Sequence, residues 1–179
     1  MRRISIGLAL LVAAVATATA LAAVNVKSYP TATFGSPDAS SVTLTGGNFS
    51  GLGSVPADAT LTAFGTARYT CTNPQGHASP GQNPVPAQPG TTTQGLGNAD
   101  HNGRGTITNM TASVTAPPTP TALEAGCGGS GASDKWTVTL IPGSLTATCA
   151  ELVIKQGGNT IFTRTYTADG IGTAGLTCP

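Results

Sequence analysis

The stretch from Ser144 to Thr167 decides the fold, and it reads SLTATCAELVIKQGGNTIFTRTYT. Its two halves are rich in β-branched and aromatic residues, which favour strands. Between them lies Gly157-Gly158, a dipeptide typical of the tight turn that joins two antiparallel strands. The stretch therefore predicts a β-hairpin with strands Ser144 to Gln156 and Asn159 to Thr167.

A two-residue turn also predicts which residues of the hairpin face each other. In that register one opposite-charge pair and two apolar pairs cross the strands, and such pairs stabilise a sheet. The pairs are Glu151 with Arg164, Val153 with Phe162, and Ile154 with Ile161.

Outward from the hairpin, the clearest further strand runs from Ala59 to Thr72. Its odd positions are mostly small or apolar, ending in Tyr69 and Cys71, and its even positions are mostly Thr, a period-2 pattern typical of a strand with one buried face. Shorter patterns occur at Ser41 to Leu44, Gly105 to Ala116 and Trp136 to Ile141, where the single Trp is expected to enter the core.

Together these segments predict an all-β protein built as an antiparallel β-sandwich of six to nine short strands with long Pro/Gly-rich loops. An immunoglobulin-like topology is one option, although Trp136 follows Cys127 and so breaks the Cys, Trp, Cys order of true immunoglobulin domains.

The chain is expected to form one domain. Residues 1–22 are predicted as a signal peptide, 23–40 as a polar lead-in with a short edge strand, and 41–179 as the sandwich. Within the sandwich, residues 73–100 hold five prolines and show no sustained alternation, which predicts one long loop.

The predicted signal peptide has the three parts that export requires. Arg2 and Arg3 give a positive start, Ile4 to Ala16 form an apolar segment, and small residues precede a cleavage site after Ala22. About 156 residues would remain, secreted to the extracellular medium or the cell surface, without membrane insertion after cleavage.

Charge excludes one class of partner. Only 8% of the residues are charged, against roughly 25% in ordinary domains, and the net charge of +1 becomes −1 once Arg2 and Arg3 are removed. Such a chain has no positive field with which to attract phosphates, so nucleic acid is not expected to bind.

Export makes disulfides the expected state of the four cysteines, because an oxidising compartment favours them. Cys71, Cys127, Cys149 and Cys178 allow three pairings. We favour Cys71 with Cys127 and Cys149 with Cys178, since the second bridge would hold the Gly-rich C-terminal tail. The spacings match no zinc motif.

No catalytic, cofactor or metal site is expected. The two histidines, His77 and His101, lie in the predicted loop region without a nucleophile motif around them, and the seven carboxylates are scattered. The run from Asn98 to Gly103 has the spacing of a calcium loop but offers Asn109 at the twelfth position instead of Glu. A hairpin turn at Asn102-Gly103 is the favoured interpretation.

Three short motifs resemble those of a group of small secreted proteins from high-GC Gram-positive bacteria. They are CTNP at 71–74, PGQNP at 80–84 and EAGC at 124–127, and the resemblance spans roughly residues 48–167. It implies a secreted β-rich domain in which Cys71 pairs with Cys127, while Cys149 and Cys178 form an additional pair. That group carries no known activity, so it transfers no functional residue.

The sequence therefore predicts a secreted, non-catalytic binding or structural module, whose partner would be an extracellular protein, a glycan or a small molecule. Its recognition surface is expected in the loop Asn73 to Asn98, because rigid sandwiches place recognition on loops. A small-molecule carrier or a protease inhibitor is the alternative; the composition is similar to that of the chromophore-carrying neocarzinostatin-type apoproteins, whose disulfides close shorter loops. A hydrolase ranks third.

Overall fold

A computed structural model describes residues 24–53, 55–96, 103–118, 120–128, 135–169 and 178, and the predicted signal peptide lies outside them. More than half of the described residues lie in strands, and almost none lie in a helix. The strands are β1 Asn25–Ser28, β2 Thr31–Phe34, β3 Ser41–Thr45, β4 Asn48–Ser50, β5 Ala57–Ala67, β6 Tyr69–Thr72, β7 Ala78–Pro80, β8 Val85–Pro86, β9 Gly90–Gly95, β10 Gly105–Thr106, β11 Asn109–Ser113, β12 Thr137–Leu140, β13 Thr146–Gln156 and β14 Asn159–Thr167.

These strands form four antiparallel sheets, which confirms the predicted all-β, sandwich-like fold. The largest has the order β14-β13-β5-β8, with β9 also paired to β5. Three-stranded sheets of order β11-β3-β2, β1-β4-β10 and β12-β6-β7 complete the fold. The lead-in thus contributes two strands, β1 and β2, because both find partners in β4 and β3.

The hairpin of β13 and β14 is present, with its turn at Gly157-Gly158, but the predicted register is wrong for most of its length. The pairing starts as expected and then shifts, because a bulge leaves Ile161 without an opposite residue. Arg164 therefore lies opposite Leu152 and not Glu151, Phe162 opposite Ile154, and Val153 opposite Thr163. Arg164 therefore does not face Glu151 as predicted, and its guanidinium packs against the Tyr29 ring instead.

The predicted strand Ala59 to Thr72 is split at Arg68, where the chain passes from the largest sheet to the sheet of β6. Its odd-numbered face is buried as predicted: Leu61 and Ala67 are fully buried, and Cys71 is 1% exposed. At the break, the Ser144 hydroxyl accepts from the Arg68 N–H (3.1 Å) and donates to the Arg68 carbonyl (3.0 Å). The Ser144 hydroxyl therefore bonds to both the N–H and the carbonyl of Arg68 at the point where the strand is interrupted.

The long loop predicted for residues 73–100 is wrong, because this segment carries β7, β8 and β9. Strand β9 pairs with β5 over six residues, from Gly90 opposite Ala63 to Gly95 opposite Asp58. Periodicity could not find it, since its sequence GTTTQG is polar or glycine on both faces. Val85 and Ala87 are also buried, so the segment is part of the core and not a free loop.

Two hydrophobic clusters form the interior. The main cluster lies among the largest sheet and the sheets of β3 and β4, and it is filled by residues such as Leu44, Leu61 and Leu152 together with many alanines. The small cluster has seven buried residues and lies against the sheet of β6, with Trp136 half-buried beside it. The predicted core position of Trp136 is thus confirmed only in part.

Both predicted disulfides are present, Cys71–Cys127 and Cys149–Cys178. Cys71 and Cys127 belong to the small cluster, and Cys127 follows a turn instead of lying in a strand. This bridge therefore joins β6 to a loop and does not link two sheets across the main core as in immunoglobulin domains.

Candidate binding groove

A groove of about 420 Å³ runs beside strand β2. Its walls are two continuous stretches of chain, Tyr29 to Phe34 on one side and Tyr166 to Ala168 on the other, and we call it the β2 groove. The volume lies in the range of roughly 300 to 1,000 Å³ that ligand sites occupy. None of the residues that line it is charged.

The β2 groove lies at an unusual concentration of aromatic side chains for this chain, which has only eight. Tyr29, Phe34 and Tyr166 line it. Behind Tyr29, the Phe162 ring lies 6.4 Å from the Tyr29 ring and 5.4 Å from Phe49 in an edge-to-face arrangement. Aromatic pairs at such distances stabilise a fold by more than the area that they bury, so Phe162 helps to hold the Tyr29 ring in place.

Arg164 lies two residues after Phe162 on β14, and it also packs against Tyr29. Its guanidinium carbon lies 3.9 Å from the centre of the Tyr29 ring and 5.7 Å from that of Tyr166. A guanidinium within about 6 Å of an aromatic face is attracted by the ring quadrupole. The contact therefore orients a tyrosine side chain that is still 54% exposed to solvent.

Among the described residues, the buried hydroxyl of Tyr166 has no hydrogen-bond partner. The side chain is 1% exposed, and burial is the main cause that raises its pKa from 10.0 to about 12, partly opposed by the charge of Arg164. The phenol is therefore neutral at any physiological pH. An unpaired buried polar group costs about 1–3 kcal/mol, so this hydroxyl, which lies in the core behind the groove, destabilises the fold.

Replacing Tyr166 by phenylalanine is expected to raise the free energy of unfolding by about 1 kcal/mol, because it removes the unpaired hydroxyl without changing the packing. The pH dependence should change too. Since folding raises this pKa, the native protein loses stability as pH rises from 10.0 towards 12, where the unfolded chain ionises first.

Urea denaturation of both proteins at pH 8 and pH 11 measures the two effects. Tyr69, whose pKa burial also raises, is common to both proteins, so the difference between them isolates Tyr166. A lower stability of Tyr166→Phe at pH 8 would show that the hydroxyl has a partner.

A second groove of about 370 Å³ lies beside β4 and is lined by Lys27, Asn48, Phe49, Ser50 and Arg104 to Thr106. Here the polar groups bind each other. The Asn48 amide donates to the Ser28 hydroxyl (2.9 Å) and accepts from the Thr106 hydroxyl (3.0 Å). The β2 groove, with its uncharged and partly aromatic walls, is the stronger candidate for binding.

The structure gives the sequence candidates for chemistry only local roles. The N–H of His77 donates to the Asn73 side chain in a tight turn (2.9 Å), while His101 and most of the calcium-like run lie outside the described residues. Among the residues that the structure describes, no group of three or more His, Cys, Asp or Glu could hold a metal ion.

Two carboxylates stabilise turns. Asp38 accepts from the Ser40 and Ser41 hydroxyls, which lower its pKa in that order, and Glu124 accepts from the N–H and hydroxyl of Thr121, which lower the pKa of Glu124. Both side chains already have their partners within the turn.

Sequence reasoning missed the β2 groove, because it assigned Tyr29 and Phe34 to a polar lead-in. One signal was available: Phe162, Arg164 and Tyr166 alternate along a strand and so share a face. The side chain that Phe162 and Arg164 contact, Tyr29, is distant in sequence, and only the fold brings it close to them.

No helix among the described residues is long and apolar enough to cross a membrane. No known family model, curated protein or solved structure matches the chain.

Proposed function

We propose that this protein is a secreted, non-catalytic binding module and that the β2 groove is its binding site. The observation that carries the proposal is the uncharged groove of about 420 Å³ whose walls include the aromatic side chains of Tyr29 and Phe34. A concave, largely apolar site of this size is typical of ligand binding.

The rest of the domain supports binding over catalysis. The Cys149–Cys178 disulfide lies next to the groove, because Cys149 pairs with the lining residue Thr167, and preorganised walls reduce the entropy lost when a ligand binds. The groove offers aromatic surface, a phenol and strand backbone, and none of these is an activated nucleophile or base. The proposed secretion rests on the predicted signal peptide and fits the use of all four cysteines in disulfides.

The site differs from the one that the sequence favoured, the segment Asn73 to Asn98. Part of that segment is buried in the core, so deleting residues within it would damage the fold and test nothing about binding. The β2 groove includes Tyr29, which is 54% exposed and can be changed with little effect on the core.

We expect Tyr29→Ala to weaken ligand binding at least about tenfold, because aromatic anchors carry a large share of binding energy at such sites. The measurement is NMR titration of the isotope-labelled mature protein with a library of neutral aromatic and amide fragments. Fragments should shift the amide signals of residues 29–34 and 166–168.

Leu123→Ala is the matched control, since Leu123 is an exposed apolar residue, 67% accessible, that does not line the groove. It should leave fragment affinity unchanged. Fragments that bind elsewhere, or that bind Tyr29→Ala as tightly as the native protein, would contradict the assignment of the groove.

A further inference from the structure

We propose that the ligand of the β2 groove is an extended, uncharged peptide segment of another protein, which adds to the free edge of strand β2 as an antiparallel or parallel strand. This inference rests on the proposed binding function and names the chemistry of its partner. Strand addition uses backbone hydrogen bonds for affinity and side-chain pockets for selectivity.

The backbone of β2 has its hydrogen-bonding groups in position for such a strand. The Gly35 N–H donates to the Ser41 carbonyl (2.9 Å), which makes Gly35 and Ser41 a hydrogen-bonded pair. Such pairs alternate along an antiparallel ladder, so Thr33 and Thr31 also bond to β3. The N–H and C=O groups of Ala32 and Phe34 therefore point away from β3.

Bonding on the far side of β3 supports this assignment. The Val114 N–H donates to the Ser40 carbonyl (2.9 Å), so the even-numbered residues of β3 bond towards β11 and its odd-numbered residues towards β2. Within the described part of the chain, β3 is the only strand that pairs with β2. Among these residues, no strand occupies the outer edge of β2.

Several other edge strands carry features that block such addition, whereas β2, like the edge strands β9, β11 and β12, has none of them. Strand β1 has Lys27 and an irregular register, β14 has Arg164 and a bulge, and β7 and β8 contain proline. Charges, bulges and prolines are the usual protection of exposed edges. The four residues of β2 pair in unbroken register and contain no charge and no proline.

The shape and polarity of the groove favour an extended chain over a compact ligand. Six consecutive residues from Tyr29 to Phe34 form its wall, so the groove follows the strand lengthwise, and β2 alone spans about 13 Å. No lining residue is charged, which favours an uncharged segment.

The test is selection of a random linear heptapeptide display library on the immobilised native protein, followed by synthesis of the enriched peptides. We expect uncharged sequences rich in β-branched residues. Ala32→Pro should weaken their binding at least about tenfold, because it removes the outward N–H of β2. Proline is tolerated at this position since that N–H makes no bond to β3.

N-methylation of single peptide amides on the native protein gives a second measurement that does not depend on how the variant folds. Methylation of amides that face β2 should abolish binding, and methylation of the alternate amides should leave it within about twofold. Amide signals of Ala32 and Phe34 should also gain protection from hydrogen exchange in the complex.

Three results would overturn the inference. The first is no enrichment over a control domain. The second is a set of peptides that lose affinity for Tyr29→Ala but tolerate both Ala32→Pro and N-methylation, which would leave the groove as a binding site for side chains or small molecules. The third is a dimer in sedimentation analysis that Ala32→Pro dissociates, which would make a second copy of this chain the occupant of the edge.

Discussion

Removal of the Cys71–Cys127 disulfide, by Cys71→Ala together with Cys127→Ala, is expected to lower the free energy of unfolding by about 4 kcal/mol. The two residues are 56 positions apart, and closing a loop of that size restricts the unfolded chain by about this amount. Both cysteines are 1% exposed, so their truncation also removes packing from a cluster of only seven buried residues.

Trp136 is a suitable probe for this measurement because it packs against the same cluster. Urea denaturation followed by tryptophan fluorescence should show a lower midpoint for the double variant. The matched control is Cys149→Ala with Cys178→Ala, which opens a bridge across 29 residues and should cost about 3.5 kcal/mol. A larger loss of unfolding free energy in the control than in the Cys71/Cys127 variant would contradict the claim that truncation in the small cluster adds to the effect of opening the bridge.

Gly90→Ala is expected to destabilise the protein by about 3 kcal/mol. A Cβ atom on Gly90 would overlap the backbone carbonyl of Ser113, so strands β9 and β11 would have to move apart. Backbone does not move aside as a flexible side chain does, and forced overlap in a packed region costs about 1–3 kcal/mol or more. Thermal denaturation measures the effect.

Gly95→Ala, at the other end of the same strand, is the control. The nearest atom to its Cβ would be Oδ1 of Asp58 at 3.7 Å, an ordinary contact. Alanine also costs less conformational entropy in a strand than glycine, so this variant should be neutral or slightly more stable. Equal destabilisation by both substitutions would show that strand propensity, and not the approach to Ser113, is decisive.

The fold was predictable where one face of a strand is apolar. The alternation from Ala59 to Cys71 and the Gly157-Gly158 turn correctly predicted buried faces, a hairpin and an all-β protein. Both disulfides also agree with the expected pairing. These features are local or follow from few alternatives, which is why sequence alone could predict them.

Prediction failed where partners distant in sequence decide the outcome. Strand β9 has no apolar face and forms because β5 offers it an edge. The bulge at Ile161 changes the hairpin register in a way that no periodicity shows. For the same reason the candidate site was missed, since Tyr29 and Tyr166 come together only through the fold.

The Gly157-Gly158 turn lies at the opposite end of the hairpin from the residues that wall the groove. Strand β14 separates the two ends by nine residues, which is about 30 Å. A Cβ on Gly158 would contact nothing, so the backbone there is open to solvent. The turn is therefore a convenient attachment point for a dye, a tag or a surface linker, and a protein anchored through it would present its groove to the medium.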